Sequence, residues 1–142
     1  GAYSYEQFLR VILELGLGYP ALEQAYTRTC FNIMAVNQDD HVKNFSFLMD
    51  ESGRWHLAPA YDLTYAQGAG YTRQHQMTLG GKRDGFNASD LTRLGNRFSI
   101  KHAGKLVIDR VRAALAKWDA LAEYRGVPAK NIALIKSQFR IE

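Results

Sequence analysis

Between Gln38 and Asn44 the chain reads Gln-Asp-Asp-His-Val-Lys-Asn, two carboxylates, an imidazole, an ammonium and two amides beside apolar runs. Asp39 and Asn44 have the spacing D-x-x-x-x-N, in which a carboxylate takes a proton from a hydroxyl and the later amide oxygen holds a divalent cation. A second carboxylate, Asp62, follows 62 − 39 = 23 residues after the first. One amide oxygen and one carboxylate make an incomplete set of hard ligands. Mg²⁺ suits such a set, because it keeps several waters and takes substrate phosphates as its other ligands. With Asn44 and Asp62 on the cation, Asp39 is left to act as a base, and Lys43 can offset charge on a transferring phosphoryl group.

Taken alone, that spacing is weak, because any polar loop can contain it. Asp39 also suits an Asx-turn at a helix end, Asn44 the start of a strand, Asp62 a turn, and Lys43 an ordinary surface. Asp40 reads as an exposed neighbour. His41 reads equally as a structural histidine and as a phosphate contact. His56, His75 and His102 have no ligand spacing to one another and read as surface or locally bonded residues.

The flanking elements must bring these groups together. Residues 45–49 read as a strand, 50–53 as a turn and 54–57 as the return strand, with Met49 facing Arg54 and Phe45 facing Ala58. Pro59 cannot donate a ladder bond, so pairing should stop there. A hairpin of this length spends most of the 23-residue separation going out and coming back. Asp39, Asn44 and Asp62 then converge at its open end.

Before the polar stretch, Ser4 and Gln7 form a capping box that opens a helix carrying Phe8, Val11, Ile12 and Leu15. Gly16 and Gly18 end it, and Pro20 opens a second helix running to about Asn37. Leu22, Tyr26, Cys30 and Ile33 share one face of that helix. Phe31, Met34 and Val36 cover its other faces near the end, the pattern of a buried helix. After the hairpin, residues 64–85 are glycine-rich loop with one short strand expected at 76–79. Gly68-Ala69-Gly70 has no helix behind it and fits a mobile, activation-type segment better than a phosphate cradle. Asn87 and Asp90 cap a short helix, and Ser99 begins the longest one, expected over 100–125 with Val107, Val111, Leu115, Trp118 and Leu121 inward. Gly126 stops it and Pro128 opens a last helix with Ile132, Ile135 and Phe139. Trp55 and Trp118 read as core.

The chain has 142 residues, 46% hydrophobic and 23% charged, which suggests one domain over 1–142 with a core of its own. A single cysteine, Cys30, excludes an internal disulfide and a cysteine-based zinc site, and a reducing, cytoplasmic compartment fits. No apolar run is long enough to span a bilayer, so no membrane partner is expected. A net charge of +4 is compatible with phosphate-bearing partners. No Lys/Arg run and no alternation of basic and aromatic residues is present, so contact with nucleic acid is expected only indirectly.

The segments NQDDHVKNFSFL (37–48) and WHLAPAYDL (55–63) resemble the HipA-type serine/threonine kinases, toxins of bacterial toxin–antitoxin pairs. MTLGGKRDGFN (77–87) resembles the segment that follows in that family, and the likeness runs from about Tyr3 to the final helices. It implies a mainly α (α+β) fold, the helical C-terminal lobe of a protein-kinase-like architecture with a small β-hairpin bearing the site. It implies Asp39 as catalytic base, Asn44 and Asp62 as Mg²⁺ ligands, and His41 and Lys43 near the phosphates of ATP. The implied activity is phosphorylation of a serine or threonine of a protein substrate, with a DNA-binding antitoxin as partner. The 38 residues before Asp39 read as two helices, with no Gly-rich loop and no strand-borne lysine. The chain therefore reads as a C-terminal lobe whose N-terminal lobe is absent and must come in cis or in trans. Two other readings stand beside it. One is a non-catalytic interaction module for an antitoxin or target protein. The other is a metal-dependent hydrolase or nuclease using Asp39, His41 and Asp62, for which the chain offers few of the carboxylates that two metals need.

Overall fold

The computed structural model describes residues 2–140. Its first helix, α1 (Tyr5–Glu14), begins at the expected capping box: Ser4 Oγ accepts from Gln7 N at 3.1 Å and Gln7 Oε1 accepts from Ser4 N at 2.8 Å. Tyr5, Phe8, Leu9 and Ile12 turn inward, whereas Val11 stays partly exposed. The next helix, α2 (Tyr19–Met34), is the longest among the described residues and the centre of the core, packed between α1 and α4 (Lys105–Leu115). Leu22, Tyr26, Cys30, Ile33 and Met34 are buried along it as the spacing predicts.

Three expectations are corrected here. α2 stops at Met34, short of Asn37, in a Schellman turn: Val36 N donates to Ile33 O and Asn37 N donates to Asn32 O. The left-handed position of that turn holds Val36, at φ 56°, where glycine is usual, so no glycine marks the helix end. The strand expected at 76–79 reduces to isolated bridges, Ser4 with Thr78 and Leu79 with Lys82, although Met77 and Leu79 are buried as a strand's inner face would be. The long helix over 100–125 is broken into a tight turn at Lys101–Gly104, α4, and α5 (Trp118–Tyr124).

The first of those breaks is steric. His102, Ala103 and Gly104 all have positive φ, which folds the segment onto α3 (Ala88–Arg97). Gly95 of α3 lies against the carbonyl of Ala103, and Gly104 lies against the Tyr26 ring, so closely that a Cβ at either glycine would overlap its neighbour. The second break lets α5 turn onto α6 (Ala129–Gln138). There Trp118 Nε1 donates to Ile132 O at 3.0 Å and its ring meets Phe139 edge-on. Trp118 is half-buried, but Leu121, expected inward, is exposed and Ala122 is buried in its stead.

The hairpin is β1 (Phe47–Met49) and β2 (Trp55–Leu57), shorter than expected and shifted by one: Met49 faces Trp55 and Phe47 faces Leu57. The turn explains the shift. Asp50 N donates to Arg54 O across a three-residue loop that ends at Gly53, whose φ of 81° supplies a bulge. Asp50 also accepts from Ser52, Arg54 and His56, and the His56 bond above all holds its carboxyl well below the usual carboxylate range. Trp55, expected in the core, is exposed on this hairpin. No helix among the described residues is long and apolar enough to cross a membrane.

Cys30 is fully buried on α2, and burial pushes its thiol up to about 12. We expect no measurable reaction of folded protein with a thiol reagent at pH 8, and one equivalent of labelling once urea unfolds it. Rapid labelling of the native chain would contradict this packing.

Candidate active site

The buried end of α2 delivers the chain into the polar loop, and two ties fix that loop from opposite sides. On one side, Gln38 N donates to Ala66 O at 2.9 Å and Ala66 N donates to Val36 O at 3.1 Å, a short parallel bridge between the loop and the segment after Asp62. On the other, Asp40 turns inward. Its Oδ2 accepts from the Tyr5 hydroxyl at 2.6 Å and from His75 Nδ1 at 2.8 Å, and its Oδ1 accepts from Gln76 N at 2.7 Å. Asp40 and His75 are both fully buried. That corrects the expectation of an exposed Asp40 and of a surface or locally bonded His75. His75 Nε2 faces Arg140 Nη1 at 3.4 Å, so the two neighbours select the tautomer with hydrogen on Nδ1. Burial, and then the Asp40 charge, raise the Tyr5 phenol well above its ordinary range, so it remains a donor.

With Asp40 pointing in, Asp39 points out. It is half-buried; its Oδ1 accepts from the Tyr71 hydroxyl at 2.5 Å and lies 3.8 Å from His41 Nε2. A 3₁₀ turn at Val42–Asn44 follows, and the strand begins at Phe47 rather than at Phe45. The turn bends Asn44 back so that its Nδ2 donates to Asp39 O at 3.0 Å. That bond engages the NH₂ of the amide, so Oδ1 is the atom left to accept. Lys43 is exposed on the same turn, and its carbonyl accepts from the Tyr61 hydroxyl at 2.6 Å. The return strand is thereby tied to the loop just before Asp62.

Asp62 has φ 55°, a left-handed conformation that aspartate tolerates better than most residues. Its carbonyl accepts from Asn37 Nδ2 at 3.3 Å, the same amide that donates to Asn32 Oδ1 at 3.0 Å. Asn37, Asn44 and Asp62 line one narrow cleft with Arg28, Asn32 and Tyr61. The buried Asn37 Oδ1 has no hydrogen-bond partner there. Arg28 closes the cleft's inner end, Nη2 donating to Ala58 O at 2.7 Å. Asn44 and Asp62 thus both line one cleft, and the Asp39 backbone carbonyl is bonded to the Asn44 amide. His41 is half-buried beside Asp39, with Nδ1 buried and unpartnered.

This donor set fits a hard cation of modest demand: an amide oxygen of fixed orientation, a carboxylate and an orphaned buried amide oxygen. It does not form a closed cage. Among the described residues no cluster of three or more His, Cys, Asp or Glu could hold a metal by itself. A cation here needs water or a substrate's oxygens to complete its shell.

Sequence reasoning missed Asp40, His75, Tyr5 and Tyr71. The carboxylate doublet at 39–40 was the available signal, since consecutive residues in extended chain point to opposite sides. Residues 1–118 of the chain match a family model described as the HipA-like C-terminal domain. No curated protein matches it.

Proposed function

The chain belongs to the HipA-like C-terminal domain family, and from that premise we propose that it is the catalytic C-terminal lobe of a serine/threonine protein kinase. In this reading Asn44 Oδ1 and the Asp62 carboxylate would hold Mg²⁺, which would offset the charge on the phosphates of ATP. Asp39 accepts the proton of the protein hydroxyl. Lys43 and His41 lie on the phosphate side of the turn. A nucleotide-covering lobe in cis or in trans completes the site, and the cytoplasm supplies the ATP. A DNA-binding antitoxin belongs to the same proposal. Met49 and Trp55, paired across the hairpin on one face and both exposed, favour a covering protein there, whether the second lobe or another partner.

The observation that carries the reading is the shared cleft of Asn44 and Asp62, joined to Asp39 by the Asn44 amide bond. The cation part is tested directly by titrating the chain with Mn²⁺ and following the free ion by electron paramagnetic resonance. One site is expected, weakened about tenfold or more by Asp62→Asn, with the thermal midpoint unchanged because Asp62 is exposed. Equal Mn²⁺ binding by the two proteins would remove the cation from this cleft. Tight Mg-ATP binding by the isolated chain would remove the need for a second lobe.

A further inference from the structure

Two neighbouring carboxylates each receive a tyrosine hydroxyl, and the two tyrosines differ in kind. Tyr5, on Asp40, is fully buried and is part of the core. Tyr71, on Asp39, is 59% exposed, at the start of a 3₁₀ turn (Gly70–Arg73) in the glycine-rich loop. Only its backbone is fixed from below, where Gln76 Nε2 donates to Tyr71 O at 2.6 Å. The phenol meets Asp39 Oδ1 at 2.5 Å, the reach a general base needs to the hydroxyl it deprotonates. The Asp39 hydrogen bond first, then desolvation and the charges of Asp39, Asp40 and Asp62, raise the phenol above its ordinary range. The hydroxyl therefore stays protonated within the field of both Asp39 and Asp62.

We propose that Tyr71 occupies the acceptor subsite, the place on Asp39 where the serine or threonine hydroxyl of a protein substrate must sit, so that substrate enters by displacing it. The proposal rests on the kinase reading. A serine or threonine side chain is shorter than tyrosine, so its backbone must come nearer to Asp39 than that of Tyr71 does. The 70–73 turn must then swing outward. Gly68 and Gly70, the latter at φ 81°, flank its start and give it a hinge. A packing role does not account for the contact, because the ring that makes it stands mostly in water.

The test uses the complete protein with its nucleotide-binding lobe, and dephosphorylated casein as the acceptor probe. Tyr71→Phe removes the competing hydroxyl, and the KM for casein should fall roughly three- to tenfold, the worth of one hydrogen bond to a partly exposed carboxylate. The gain should lie in the KM for casein and not in that for ATP. Tyr71→Ala should show the same fall, and an unchanged or raised KM in both variants overturns the proposal. A second measurement needs no turnover. In ultraviolet titration of the chain, wild type minus Tyr71→Phe should show one phenol ionising above the usual tyrosine range. In an Asp39→Asn background that phenol should return to the usual range. An ordinary titration of Tyr71 in the wild type refutes the proposal and leaves the kinase reading standing. Absence of any ATP turnover by the complete protein sinks the kinase reading, and this proposal with it.

Discussion

Asp40→Ala is expected to lower unfolding stability by about 3–5 kcal/mol, the cost of leaving three donors around one buried carboxylate without their acceptor. Three donors lose their acceptor at once: the Tyr5 hydroxyl, His75 Nδ1 and the Gln76 backbone N–H. Each belongs to a different segment, α1, the loop entering residue 75 and the strand-like stretch at 76–79, and the Tyr5 and His75 side chains are fully buried beside Asp40, away from water. Asp40→Asn should lose less but still be clearly destabilised, because its NH₂ would face a cluster made only of donors. Urea unfolding followed by circular dichroism measures both. A loss under about 1 kcal/mol for Asp40→Ala would mean that the network contributes little net stability.

The adjacent substitution should do the reverse. On the kinase reading proposed above, Asp39→Asn is expected to reduce phosphoryl transfer by about 10²–10⁴-fold, the usual contribution of a general base, while leaving the unfolding midpoint unmoved. Asp39 is half-buried, and its carboxylate meets the hydroxyl of the exposed Tyr71 and lies near the half-buried His41. The amide keeps the shape and an acceptor oxygen but cannot accept a proton at neutral pH. Initial rates on casein with the complete protein, alongside thermal melts, decide it. A variant that folds and retains more than a tenth of the wild-type rate would show that the proton leaves by another route. The two results together separate a carboxylate that builds the site from one that works in it.

Much of this arrangement could be read in the chain. Both capping boxes, at Ser4 and Asn87, are local: donor and acceptor lie three residues apart, and the pattern names them. The hairpin was legible because Asp50-Glu51-Ser52-Gly53 is turn chemistry and Pro59 forbids further pairing. Its register was not, since the one-residue shift depends on Gly53 acting as a bulge, a choice made by backbone conformation. That Asn44 and Asp62 line one cleft followed from the hairpin and did not need the register to be right. What stayed hidden was long-range. Nothing near Asp40 says that it is buried; that depends on Tyr5 and His75, each 35 residues away. The end of α2 was misplaced because Val36 takes a left-handed conformation that a β-branched residue rarely adopts. The break at 102–104 was missed because three consecutive positive-φ residues are stabilised by contact with α3 and α2, not by their own preferences.

The hairpin leaves the site just beyond Asn44 and returns just before Asp62, held at its root by the bond from Tyr61 to the Lys43 carbonyl. The far end is thus a spur whose length is silent at its base. Adding or removing paired residues symmetrically around the 50–54 turn would lengthen or shorten the spur while the two oxygen donors keep their places. The count between the two aspartates can therefore change without moving either, so long as the outgoing and incoming strands keep a matched length.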